Sequence, residues 1–144
     1  MLAVMYNACF GGFGFSQLAI ELYNQRRPEN SSKLTEDDCF ACGREIDRAD
    51  PIMVQVVREL GPSASNTYSR VMIEEIPEKF KDHYSIQEYD GNESVQIEHD
   101  RYTLHRIEGI MRDAGLGEAD KIERALREID ELREWAGSRE LFPV

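Results

Sequence analysis

Basic residues are scarce in this chain: 17 Lys and Arg stand against 28 Asp and Glu, a formal charge of -11 over 144 residues. Broad binding to nucleic-acid backbones or anionic membranes needs a positive field, so this balance argues against both. Cysteine is nearly absent as well. Three residues, an odd number, build no disulfide framework and point to a reducing intracellular compartment. No long apolar run is present: Met1 to Phe15 has no basic residues ahead of it and reaches Ser16-Gln17 too soon to span a bilayer. The sequence therefore reads as carrying neither signal peptide nor membrane anchor, and the protein is not expected to be secreted. Internal repeats and low-complexity tracts are missing too.

What is there is a globular composition, 41% hydrophobic and 31% charged, at a length that suits one small fold with its own core. Leu2 to Ala8 reads as a buried first strand, and a glycine loop follows it. Ser16 then offers an N-cap oxygen to a helix over 17–25, with Leu18, Ile20, Leu22 and Tyr23 on or near one side. Residues 27–48 form an irregular excursion. Asp50-Pro51 is a strong helix start, and Gly61-Pro62 stops that helix. Tyr68 to Ile76 has strand character, and two further strands flank Asp90-Gly91-Asn92, a turn that needs positive φ. Thr103 is expected to cap a helix carrying Leu104, Ile107, Met111 and Ala114, and a second helix over 118–135 carries Ile122, Ala125, Leu126, Ile129, Leu132 and Ala136 on one stripe. The expected fold is α+β with an α/β-like core: a small mixed sheet of about four strands with flanking helices, over 1–102, then a C-terminal helical hairpin over 103–144. That hairpin must pack on the core or on a second subunit.

Four groups of residues carry candidate chemistry. Asn7, Gly11, Gly12, Gly14 and Ser16 surround a glycine-rich strand-to-helix turn, where free N–H groups and the helix dipole favour an anion; the plainer reading is a tight turn whose glycines serve geometry alone. The loop holds no Walker lysine, and its spacing is not the dinucleotide fingerprint. Cys9 lies just before it as a candidate nucleophile, and needs His83, His99 or His105 as proton acceptor. Cys39 and Cys42 have the spacing of half a zinc site, but no second CxxC or HxxxH completes it, so no cofactor is assigned and zinc is the metal this spacing would suit. Glu88, Asp90, Glu93, Glu98, His99 and Asp100 gather carboxylates and an imidazole about the hairpin, fit for acid–base work, for a hard cation, or simply a solvated edge, and their spacing matches no calcium loop.

Several short motifs in one order, Cys9 to Ser16, Arg48-Ala-Asp-Pro51, Val56 to Gly61, Ile73-Glu-Glu-Ile-Pro77, Ile86 to Gly91 with Glu93 and Val95, and His99, resemble a family of small proteins from tailed phages and large DNA viruses. The resemblance spans about residues 2–102 and implies a viral source and a compact core, with no activity attached to the family. The excursion around 29–46 and the region from 103 onward depart from it as additions. Together these readings imply a viral accessory protein, leaning away from catalysis, that binds a small anionic ligand or a host protein. It would act in host cytoplasm or nucleus or in the virion, as a homodimer through the C-terminal helices, whose apolar stripe would otherwise stay exposed. Two alternatives stand beside it. One is a small hydrolase or transferase on a nucleotide-like substrate using Cys9 or Glu88, Asp90 and His99, and the other is a structural virion component.

Overall fold

The structure, a computed structural model, describes residues 1–35 and 46–140, with side chains through residue 137. It is an α+β fold whose contacts divide it into two compact units, Met1–Gln96 and Ile97–Val144. Four strands form as expected, but as two separate antiparallel pairs rather than one mixed sheet.

In the first unit, strand β1 (Leu2–Asn7) pairs antiparallel with β2 (Val71–Ile76), in a register running from Leu2 opposite Ile76 to Asn7 opposite Val71. Alternation sends Met5, Val71 and Ile73 to the face that meets two helices, while Val4 and Ile76 point to the other. That other face is covered in part: Val4 and Ile76 are buried, while Met72 and Glu74 are exposed. Helix α1 (Gln17–Arg26) starts where Ser16 was expected to cap it: the Ser16 hydroxyl accepts from the Ala19 N–H at 3.1 Å. Ala19, Ile20 and Tyr23 form its buried stripe, and Leu18, expected near that stripe, is about half exposed. Helix α2 (Pro51–Leu60) has Asp50 accepting from the N–H groups of Ile52 and Met53, with Pro51 at its first position, where a missing N–H costs nothing. Phe15, Ile20, Tyr23, Met53, Val56, Val57 and Ala64 close over Met5 and Val71 as the core. Each of the Val, Ile, Met and Phe side chains among these contributes roughly 1.5–3 kcal/mol by leaving water.

Strands β3 (Tyr84–Tyr89) and β4 (Asn92–Ile97) form the hairpin read from the sequence. Its two turn residues, Asp90 and Gly91, have φ of 51° and 85°, the left-handed pair that matches the natural twist of a two-residue hairpin.

The second unit holds α3 (His99–Arg112) and α4 (Glu118–Glu140). The hairpin is antiparallel: His99 stacks on Trp135 with centroids 3.9 Å apart, Arg106 pairs with Glu128 at 3.1 Å, and Lys121 donates to the Met111 carbonyl. Thr103, expected as a cap, lies one turn inside α3 and is buried; the helix begins almost directly after β4, with no side-chain cap on Glu98. Within the expected stripes, Leu104, Met111, Ile122 and Leu126 are all at least half exposed. No helix among the described residues is long and apolar enough to cross a membrane.

Candidate functional site

Antiparallel pairing alternates the direction in which successive N–H and C=O groups of β1 point. The Ala8 N–H donates to the Arg70 carbonyl, so Tyr6 and Val4 also face β2 while Met5 and Asn7 face away. Those outward groups are claimed by the chain itself: the Met5 N–H donates to the Arg48 carbonyl at 2.7 Å, and the Asn7 N–H to Glu93 Oε1 at 2.8 Å.

Asn7 is fully buried, and its side-chain amide takes part in four hydrogen bonds. Its Nδ2 donates to the carbonyls of Cys9 (2.8 Å) and Gly91 (2.7 Å), while Oδ1 accepts from the Arg70 N–H at 2.8 Å and the Cys9 thiol at 3.4 Å. A buried amide with both donors and its acceptor engaged is a clamp. Glu93 extends it: its carboxylate receives a two-pronged pair from Arg48 at 2.8 and 3.0 Å, and the Arg48 guanidinium lies 3.5 Å over the Phe13 ring. Asn7, the glycine loop, the segment ahead of α2, residues 68–70 and the β3–β4 turn are thus tied at one node.

The glycines of the loop fit that node. A Cβ on Gly11 would stand 1.8 Å from the Tyr68 carbonyl oxygen, and one on Gly91 would stand 2.7 Å from both the Gly12 nitrogen and the Phe10 carbonyl. Main chain therefore meets main chain at distances that no side chain would allow. Ser16 spends its hydroxyl on the helix cap and on the Ser63 carbonyl, and the Gly14 carbonyl accepts from Ser69 Oγ at 2.7 Å.

Of the catalytic candidates, Cys9 shares its proton between Asn7 Oδ1 and the Tyr68 carbonyl at 3.2 Å, which employs the thiol as a donor. Glu88 accepts from the Gly91 N–H at 2.6 Å and thereby stabilises the turn, and Asp90 sits in that turn. A hollow of about 230 Å³ is lined by Glu88 and Glu93, but both carboxylates are committed, to Gly91 and to Arg48. His99 belongs to the second unit and stacks on Trp135 there. Cys39 and Cys42 lie outside the described residues, among which no group of three His, Cys, Asp or Glu could hold a metal ion.

Two tyrosines have raised pKa values. Burial is the main cause for Tyr23, with Asp50 adding to it, and burial with Asp47 does the same for Tyr84, against the lowering effect of Arg48.

Sequence reasoning missed the Tyr68–Arg70 segment, whose share in the node comes through the Tyr68 carbonyl and the Arg70 N–H, main-chain groups that leave no mark on residue choice, and through the Ser69 hydroxyl. It also missed a cleft of about 660 Å³ beside the far edge of β2, lined by Val57, Pro62, Arg70, Val71 and Ile73 among others. No family model, curated protein or solved structure matches this chain.

Proposed function

We propose that this is a viral accessory protein acting as a non-enzymatic binding module, with a protein segment as its ligand and a dimer built through α3 and α4. One observation carries the reading: the side chains around the glycine loop that would greet a small anion, Asn7 and Ser16, are consumed by the clamp and the helix cap. Gly11 and Gly91 are likewise filled by the chain's own backbone.

The dimer is supported by the second unit. In an antiparallel pair where His99 meets Trp135 and Arg106 meets Glu128, Met111 falls level with Ile122, and Ile107 with Leu126. Counting 100° per residue, the exposed Leu104 and Leu126 lie about 160° around their helices from Arg106 and Glu128. Two such hairpins joined on that face make a four-helix arrangement, the usual way a narrow apolar stripe is covered.

Thermal-shift measurements with inorganic phosphate, nucleotides and sugar phosphates test the first part. The expected result is no stabilisation, and a ligand at a hundred times its Kd would add about 2.7 kcal/mol, an easily seen rise. Such a rise overturns the protein-segment reading in favour of a small anion. Light scattering tests the second part: twice the chain mass is expected, reduced to one chain mass in a Leu104→Glu/Leu126→Glu double variant.

A further inference from the structure

The two edges of the β1–β2 sheet are not equivalent. The β1 edge is closed at Met5 and Asn7 by Arg48 and Glu93, as described. On β2, the residues opposite Met5 and Ala3 are Ile73 and Glu75, whose N–H and C=O groups therefore point away from β1. Val71, next in that outward series, has its N–H taken by Ser65 Oγ at 2.8 Å. Ile73 and Glu75 have no main-chain partner on that edge among the described residues. The cleft of about 660 Å³ runs beside this same edge, with Val57, Pro62 and Val71 in its wall. Arg70 stands at its end, exposed, its guanidinium without an ion pair or side-chain hydrogen bond among the described residues. By contrast Arg58, the nearby cation of α2, is already paired with Glu75 at 2.9 Å.

We infer that the outer edge of β2 binds an extended peptide by strand addition, with apolar side chains in the cleft and a carboxylate on Arg70. This rests on the protein-segment reading above and names the segment's chemistry. Local charge decides the occupant: Arg70, exposed at this edge with no ion pair among the described residues, selects a carboxylate opposite it, against the repulsive background of an acidic chain. Main-chain bonds at Ile73 and Glu75 supply affinity, and alternate side chains supply specificity. An antiparallel peptide runs its C-terminal end toward Arg70. The residue opposite Ile73 and the one two places later share the cleft face and are apolar; strand pairing ends before Val71, whose N–H Ser65 holds, and the next residue, Asp or Glu, reaches Arg70 from the cleft.

The probe is a pool of acetylated, amidated nonapeptides of pattern x-x-Val-x-Val-Glu-x-x-x, with x drawn from Thr, Ser and Gln, selected on the full immobilised chain. Selected peptides are expected to slow hydrogen exchange at the Ile73 and Glu75 amides and to shift resonances along the cleft. N-methylation of the first Val, or Lys in place of Glu, should weaken binding at least tenfold. Arg70→Glu should reverse the charge preference, so that the Lys peptide gains at least tenfold over its wild-type affinity; this gain also shows that the variant is folded. No enrichment, binding indifferent to N-methylation, or an unreversed charge preference overturns the inference. Peptides whose shifts map away from β2 overturn it too while leaving the protein-segment reading intact. Stabilisation by phosphate with no peptide bound removes both.

Discussion

Replacing Asn7 separates a clamp from an ornament. Asn7→Ala strips donors from the Cys9 and Gly91 carbonyls and the acceptor from the Arg70 N–H, three main-chain groups gathered around a fully buried position. An abandoned buried group costs about 1–3 kcal/mol. Taking the low end for each, since water entering the gap recovers part, gives a loss of about 3 kcal/mol. For a chain of this length that corresponds to a fall in Tm of roughly 10 °C, read by circular dichroism. Asn7→Asp keeps the shape and changes the sign of the pH response. Its ionised carboxylate would face two carbonyl oxygens, with the Glu93 carboxylate held nearby, so the folded state favours the protonated form, and the introduced carboxyl has a raised pKa. A raised folded pKa adds stability that is fully present below the unfolded value, about 3.9, and is lost as pH rises through the folded value. The Tm deficit of this variant against wild type should therefore shrink from pH 7 to pH 4. A fall under 3 °C for Asn7→Ala, or a deficit for Asn7→Asp that is constant with pH, would refute the clamp.

Further expectations concern the surrounding structure. Arg48→Met or Glu93→Leu alone should cost about 3–5 kcal/mol by leaving one half-buried charge unpaired, and the double variant should cost clearly less than their sum in denaturant unfolding. Gly61→Ala and Gly91→Ala both place a side chain at positive φ, but only Gly91 also drives a Cβ into the Phe10–Gly12 backbone. Chemical denaturation should show about 1 kcal/mol for the first and a distinctly larger loss for the second; equal losses would deny the close approach. Tyr23, with its raised pKa, contributes stability that is complete below pH 10 and disappears as pH rises through its folded value. Melting curves from pH 8 to 11 should accordingly fall less steeply for Tyr23→Phe than for wild type.

Local signals in the sequence were read well because their causes are local. Ser16 caps the helix that follows it, Asp50-Pro51 opens the next, and Asp90-Gly91 turns the hairpin, each through atoms two or three residues away. Where two local signals competed, the reading failed. Thr103 looks like a cap, yet helix formation had already begun at His99, and the hydroxyl side chain is buried within the helix. Leu104 and Leu126 fit an apolar stripe by spacing, but spacing does not say which part of a stripe the neighbouring helix covers. The glycine loop was conspicuous in the sequence, but the backbone groups packed against it were not legible.

By itself, then, the order of residues determined the elements, their caps and turns, the acidic balance and the α+β class, since these depend on short-range sterics and composition. Tertiary structure alone decided that the strands form two pairs, that Asn7 is spent on groups 63 and 84 positions away, and that a cleft lies beside β2. Hydrogen bonds are directional and reach about 3 Å, so which distant groups meet depends on how the whole chain packs, and no local pattern encodes it.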